Sequence, residues 1–442
     1  LSPAQRTLTV GVLGAGTVGS QVIRLLTEQA DDFAARSGAR LEITGVAVRD
    51  VNAPRGTSVP RNLLTDDATA VATGNDLVIE LIGGIEPART LILAAFKSGA
   101  SVITGNKALI AAHGPELYAA AAAAGTDFYY EAAVAGAIPV VYALRESMAG
   151  DRVTSVLGIV NGTTNYILSR MKHEGSSFDE VLADAQALGY AEADPTADVD
   201  GFDAASKIAI LGSMGFRTRI TTDDVYMQGI RSVTATDIEI AEELSKTIKL
   251  LAIARATDTG IDVRVHPTMI PNDHPLASVD GAMNAVYVVG DGVGETMFYG
   301  AGAGSFPTAS AVIGDIFALA EPISQGQKPL AESRPFGRVR PIRPMADLHT
   351  RYCIRLVVED QVGTLSAITR IFSESGVSIS TIRQVAGTTD GACQVVFVTH
   401  RALEADMETA RAALEADDAV RAVGSIIRVE DIDAWTSGVL DN

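Results

Sequence analysis

Apolar residues along the chain fall in short runs separated by stretches with helical spacing. Residues 7–13 (TLTVGVL) form one such run, and Gly14-Ala15-Gly16-Thr17-Val18-Gly19 follows at once. Val22, Ile23, Leu25 and Leu26 then recur on one helical face. The pattern predicts strand, glycine turn and helix. Further strands are predicted at 41–48, 76–82, 101–104 and 128–131, with helices between them, including one over 86–98. Strands alternating with helices imply a parallel sheet covered on both faces.

Beyond Val134 the texture changes. Residues 153–160 predict a strand that leads through Asn161-Gly162-Thr163-Thr164-Asn165 into a helix. An acidic loop over 192–203 precedes a helix through 207–214, and 237–254 predicts one long helix capped by Thr236 or Asp237. Strands at 261–270 and 282–290 follow, and Gly-Ala-Gly-Ala-Gly at 300–304 opens a last helix over 307–320. Residues 322–348 carry five prolines with interleaved arginines and are expected to be a linker docked on an acidic face. Segments at 352–358, 363–375, 378–385, 392–399, 403–415 and 421–429 then alternate in the order of a ferredoxin-like βαββαβ unit.

The expected fold class is therefore α/β. A Rossmann-type parallel-sheet domain spans 1–133, completed by the helix at 304–320, and an α+β substrate-binding and dimerisation domain spans 134–303. A linker at 321–349, the βαββαβ unit at 350–431 and a tail at 432–442 follow. A length of 442 residues fits two or three domains. The 54 acidic against 35 basic residues leave a net charge of −19, which argues against nucleic acid or an anionic membrane as partner. Apolar stretches such as 132–144, interrupted by Gly136 and Pro139, fall short of a membrane span. No secretory signal is visible at the first residues. The two cysteines, Cys353 and Cys393, cannot build a disulfide framework or a cysteine metal site, so a cytoplasmic location is expected. Both lie on predicted strands, as core residues. None of the six histidines has metal-ligand spacing, and His266 and His274 read as satisfied or exposed side chains.

Two constellations carry chemistry. Gly14, Gly16 and Gly19, between a strand and a helix, permit a tight turn and let a dinucleotide pyrophosphate approach helix N–H groups. The end of the second strand normally reads the ribose; here Arg49 and Asp50 stand there. Arg49 fits either a 2′-phosphate partner or an ordinary surface arginine, so NADP is slightly favoured over NAD. The second constellation is the stretch 189–207. Asp203 and Lys207 share a helical face, and Ala204, Ala205 and Ile208 make that helix apolar. A buried lysine is a useful proton donor, and the carboxylates of Glu192, Asp198 and Asp203 can hold a substrate ammonium group.

With these residues in view, the chain resembles the homoserine dehydrogenases, in the long bacterial form with a C-terminal ACT regulatory domain. The resemblance rests on GVLGAGTVG (11–19), TGNKALIA (104–111), EAAVAGAIPV (131–140), GIVNGTTNYIL (158–168), the 189–207 stretch and GAGAGSFPTASAVIGD (300–315). It implies NAD(P)H-dependent reduction of L-aspartate 4-semialdehyde to L-homoserine, a step towards threonine, methionine and isoleucine. It also implies Lys207 as proton donor, Lys107 as a second active-site lysine near substrate and nicotinamide, and Glu192 and Asp203 as substrate contacts supported by Asp198. Leu13, Gly14, Gly16, Thr17, Val18, Gly19, Ile82, Gly83, Gly189 and Gly304 become cofactor contacts, with Gly84 in the loop after the third strand. Glu131, Val134, Gly136 and Ile138 become a loop that binds a monovalent cation, sodium, through carbonyl oxygens.

In the C-terminal unit, Asp360, Gly363, Leu365 and Val377 resemble ACT-domain ligand turns. The implied effector is L-threonine, bound by a homodimer or homotetramer and coupled to the catalytic region through the linker. The rival readings are another Rossmann amino-acid dehydrogenase, or a non-catalytic amino-acid sensor. Lys107, Lys207 and the acidic loop argue against the sensor.

Overall fold

The computed structural model describes residues 6–55, 59–327, 339–385 and 391–430. Its N-terminal sheet has six parallel strands: β1 (Thr7–Leu13), β2 (Arg40–Ala47), β3 (Leu64–Thr65), β4 (Leu77–Glu80), β5 (Ser101–Thr104) and β6 (Phe128–Tyr129). Their order is β3-β2-β1-β4-β5-β6. The order reverses between β1 and β4, and such a switch leaves a ligand crevice at the carboxyl ends of the strands. Val10, Val12, Ile79 and Ile103 of the sheet pack with Ile23 and Leu26 of the helix Thr17–Glu28. Val312 and Ile316 of the helix Ser305–Ser324 join the same core. That late helix is long and apolar enough to cross a membrane by length and composition, a feature the expectation above overlooked. Its buried residues here face the dinucleotide sheet.

The second sheet has eleven strands: β7 (Val153–Ile159), β8 (Tyr226–Met227), β9 (Lys246–Thr257), β10 (Gly260–Pro271), β11 (Met283–Gly290), β12 (Gly294–Ala301), β13 (His349–Glu359), β14 (Ile379–Val385), β15 (Ala392–Thr399), β16 (Ala402–Leu403) and β17 (Val420–Val429). The continuous path is β12-β11-β7-β9-β10-β17-β13-β15-β14, with β8 on β10 and β16 on β13. The expected helix over 237–254 is corrected. A helix covers only Ala235–Glu243, with Thr234 and Asp237 forming its capping box, and Ser245 at φ 57° turns the chain into β9. β9 lies between β7 and β10, and most of its residues are buried. A strand covered on both faces reads as an unbroken apolar run, which periodicity does not distinguish from a buried helix. β12 was not anticipated either: it is an edge strand without a buried face.

The C-terminal unit folds in the expected βαββαβ order around Tyr352, Ile354, Leu356, Ile368, Phe372 and Phe397. Cys353 and Cys393 are buried on β13 and β15, and burial pushes the Cys353 thiol up to about 12. The unit is not set apart behind its linker. β17 pairs in parallel with β10 at Thr268–Arg428 and Met269–Val429, so one sheet runs through both parts of the chain. Buried charges line this seam. Arg264 donates to Glu430 at 2.6 Å, Arg428 to Gln228 at 2.7 Å, and Arg355 to Asp237 at 2.8 Å. Of the linker, residues 328–338 lie outside the described residues, as does the tail from 431 onward. The described end runs along β10: Ile261 N–H donates to Pro341, Arg343 N–H to Ile261, and the Arg343 guanidinium pairs with Asp262 at 3.1 Å.

Removing one partner of a buried pair leaves the other charge without compensation. Asp237 is 1% exposed. Arg355→Ala should therefore destabilise the protein by roughly 3–5 kcal/mol. Arg370→Ala, which breaks an exposed pair with Glu374, should cost at most about 1 kcal/mol. Urea unfolding of both variants checks this; equal midpoints would mean that the seam is not a buried ionic contact.

Candidate active site

The glycine turn after β1 is built for close approach. Gly14 has φ 101°, and a Cβ there would lie 2.7 Å from the Leu81 carbonyl. Gly16, by contrast, faces open space and begins the helix Thr17–Glu28 without a side-chain cap. Uncapped N–H groups at a helix start suit a phosphate. Leu13 is buried at the end of β1, while Thr17 and Val18 open the helix beside it. Arg49 is exposed just past β2, and Asp50 accepts the Asn52 N–H at 2.8 Å, so its carboxylate is turned into its own loop.

Past β4 the loop Ile82-Gly83-Gly84 is held by a residue that sequence reasoning missed. Glu80, fully buried, accepts Ile82 N–H at 2.7 Å and Gly83 N–H at 3.2 Å through one oxygen and the Thr104 hydroxyl at 2.6 Å through the other. A glutamate inside the apolar run 77–82 was the available signal. Asn106 then donates to the Gly84 carbonyl at 2.6 Å and caps the helix Lys107–Ala124 through Leu109 N–H. These bonds set where Lys107 emerges.

Lys107 and Lys207 come from different parts of the chain and line one cleft of about 350 Å³, together with Gly83, Gly84, Gly136 and Gly302. Asp203, 7% exposed, lies between them. One of its carboxylate oxygens pairs with Lys107, and the other accepts Lys207 at 2.7 Å. Burial alone would raise this carboxyl, but the Lys207 and Lys107 charges outweigh it and hold the group well below the usual carboxylate range. Lys207 donates a second hydrogen to the Val160 carbonyl at 2.6 Å. Two of its three ammonium hydrogens are thus engaged. Asn161, also unforeseen, donates to Asp203 at 2.9 Å and to Asp198 at 2.7 Å.

Other expected residues stand apart. Glu192 and Gly189 lie on the exposed loop after the helix Phe178–Ala187 and do not line the cleft. Gly304, at φ 126°, begins the helix Ser305–Ser324 just beyond the lining residues Gly302 and Ala303. In the 131–138 loop, the Glu131 carboxylate accepts Val141 and Tyr142 N–H groups, at 3.0 and 2.6 Å, and its carbonyl accepts Val134 N–H at 3.4 Å. Val134 and Gly136 are buried residues, and among the described residues no turn or loop hydrogen bond reaches either carbonyl. Carbonyl oxygens with a free lone pair suit a hard cation. No cluster of three or more His, Cys, Asp or Glu side chains that could hold a metal occurs among the described residues. His266 is buried in bonds with Thr268 and Arg264, and His274 accepts Leu276 N–H. In the C-terminal unit, Asp360, Gly363 and Leu365 form an exposed turn opening the helix Thr364–Glu374, whereas Val377 is buried in the core.

A parallel sheet with a glycine turn at its switch point, beside a cleft holding two lysines and a buried carboxylate, defines a nicotinamide-dinucleotide-dependent dehydrogenase. Comparison with known proteins gives the family. Family models match at 14–131 (homoserine dehydrogenase, NAD binding domain), 139–317 (homoserine dehydrogenase) and 354–418 (ACT domain). The chain is 50% identical to a homoserine dehydrogenase of Corynebacterium glutamicum, over 95% of both chains. It is 47% identical to that of Mycobacterium tuberculosis, over 96% of this chain and 98% of the other. A solved homoserine dehydrogenase from Thiobacillus denitrificans superposes with TM-score 0.90 at 42% identity, covering 97% of this chain and 99% of that one. The chain belongs to the homoserine dehydrogenase family, in the form that carries an ACT regulatory domain.

The buried Asp315 makes one prediction about stability. Asp315 accepts the Glu131 N–H at 2.9 Å; burial first, then the Glu131 charge, raises its carboxyl to about 8. A carboxyl raised in the fold is protonated there while ionised in the unfolded chain. Its contribution is complete below the unfolded value near pH ~4 and is lost as pH rises towards ~8. Asp315→Asn cannot ionise and keeps an acceptor for Glu131 N–H. Its melting temperature should fall less between about pH 5 and 8 than that of the unaltered protein. Parallel curves would mean that Asp315 is ionised in the fold.

Proposed function

We propose that the enzyme reduces L-aspartate 4-semialdehyde to L-homoserine with Lys207 as the proton donor. The observation that carries this is the ammonium of Lys207, tethered by Val160 and Asp203 with one hydrogen left for a group in the cleft. When bound, the nicotinamide dinucleotide supplies hydride to the aldehyde carbon. Lys207 then protonates the developing alkoxide, and Lys107 stabilises its charge from the other side of Asp203. Holding the two reacting carbons in register is the protein's main contribution. Asp203, engaged by both lysines, also orients them, and with Glu192 it meets the substrate ammonium. Asp198 supports this arrangement through Asn161.

NADP is the favoured cofactor, with NAD as the alternative. The Gly14–Gly19 turn, Gly189 and Gly304 would hold the dinucleotide together with Leu13, Ile82, Gly83 and Lys107, and Arg49 would pair with a 2′-phosphate. The carbonyls of Glu131, Val134, Gly136 and Ile138 would hold sodium, which would supply charge that braces their loop. L-threonine is the proposed effector, at the 360–365 turn beside Val377. The β10–β17 seam couples that unit to the catalytic region more directly than the linker does, since its bonds reach Gln228 and Asp237. The enzyme works in the cytoplasm as a homodimer or homotetramer, in the pathway to threonine, methionine and isoleucine.

Lys207→Ala should lower turnover by roughly 10² to 10⁴, the usual range for a general acid, with little change in cofactor binding. Absorbance of NADPH with aspartate semialdehyde measures it, and near-normal turnover would remove Lys207 from the proton-transfer step. Arg49→Asp should weaken NADPH far more than NADH, because it opposes a 2′-phosphate with a like charge. Steady-state constants for both cofactors check this; equal losses would show that Arg49 does not read the ribose.

A further inference from the structure

Asn161 follows β7 by two residues and caps the helix Gly162–Glu174. Its side-chain oxygen accepts the Thr164 N–H and the Thr164 hydroxyl, both at 2.9 Å. That bond pair leaves the amide nitrogen one direction to face. Its two hydrogens go to two different carboxylates, Asp198 at 2.7 Å on the turn Thr196–Val199 and Asp203 at 2.9 Å on the helix Phe202–Phe216. The Asp203 oxygen that accepts Asn161 is the same one that accepts Lys207. The residue before Asn161, Val160, holds the other side of the Lys207 ammonium.

We propose that Asn161 is a positioning residue for the reaction, whose amide fixes the rotation of the Asp203 carboxylate so that one oxygen meets Lys107 and the other Lys207. The inference rests on Lys207 as proton donor. Two neighbouring carboxylates repel, and a neutral donor shared between them offsets that repulsion. Without the amide, the Asp203 carboxylate is free to turn and carries the Lys207 ammonium with it. A misplacement on the order of 1 Å in a reacting group can cost about 10²-fold in rate.

A helix cap is the simpler role, and one substitution separates the two. Aspartate caps a helix as well as asparagine does, but an ionised carboxylate donates nothing. Asn161→Asp therefore keeps the bond to Thr164 and removes both bonds to the acids. The charged groups around the new carboxyl are Asp198 from the turn, Asp203 and Lys207 from one helix, and Lys107 reached through Asp203; Asp200 is paired with Arg231. The first turn of its own helix holds no acidic residue. Crowding by two carboxylates favours the protonated form, which donates one bond again.

The test measures turnover of the full-length enzyme with NADPH and aspartate semialdehyde across pH, with thermal melting alongside. Asn161→Asp should melt near the unaltered protein. Its kcat at alkaline pH should fall by on the order of 10²-fold, with the KM for NADPH unchanged and the deficit shrinking as pH falls. Should that variant fail to fold, Asn161→Ser, which caps equally well and keeps one donor, should lose less and by a constant factor across pH. Unchanged kcat in whichever variant folds, or a pH-independent deficit in Asn161→Asp, overturns the inference and leaves Asn161 as a cap. Lys207→Ala, measured in parallel, separates the two levels. Full turnover in Lys207→Ala defeats the proton-donor reading itself, whereas its loss beside normal Asn161 variants defeats only the inference.

Discussion

A buried carboxylate between two ammonium groups is the constraint on which the catalytic half of the molecule depends. Asp203 is anchored on the helix Phe202–Phe216, Lys207 lies one turn further along that helix, and Lys107 opens a helix of the dinucleotide sheet. The ion triad therefore spans the cleft and ties the cofactor side to the substrate side. Desolvation makes such a group expensive unless each charge is paired and each remaining polar atom is bonded. The surroundings meet that demand: Val160 and Asn161 supply a carbonyl and an amide, and Asn106 and Glu80 hold the loops from which Lys107 emerges. The arrangement adds little net stability, since buried pairs rarely do, but it allows one geometry, and catalysis needs that geometry.

The same electrostatic logic operates where the ACT unit meets the catalytic region. Arg355 with Asp237, Arg264 with Glu430 and Arg428 with Glu404 are buried pairs, and the last also reaches Gln228 and Tyr226. Gln228 N–H bonds to Val265 on β10, and Ile230 N–H bonds to Val199 in the turn that carries Asp198. A continuous set of backbone and side-chain bonds thus joins the regulatory unit to the acids beside Lys207. A ligand that prefers one docking of the ACT unit has a physical route to the site, because the seam tolerates few intermediate arrangements once its charges are buried.

Much of this was legible beforehand where a local rule applies. The glycine turn, the alternating strands and helices of the first domain and the βαββαβ order of the last follow from spacing and turn chemistry, which act over a few residues. The Asp203–Lys207 pair was visible as helical neighbours four apart. Where burial on both faces erased the period, the reading failed. β9 has no polar side to mark it as a strand, and it was taken as the continuation of the helix Ala235–Glu243. The edge strand β12 failed for the opposite reason, having no buried face to reveal a period.

What the sequence by itself determined is the set of local elements and the identity of the chemical groups: two lysines, an acidic stretch and a phosphate-sized turn. Only the tertiary structure decided how those groups meet. Lys107 and Asp203 are 96 positions apart and become an ion pair because two domains close on each other. Asn161 and Glu80 look like ordinary polar residues at strand ends, and their importance exists only once burial removes water as an alternative partner. The linker gave no sign that β17 pairs with β10. Strand pairing and buried charge compensation are long-range terms, which no window along the chain contains.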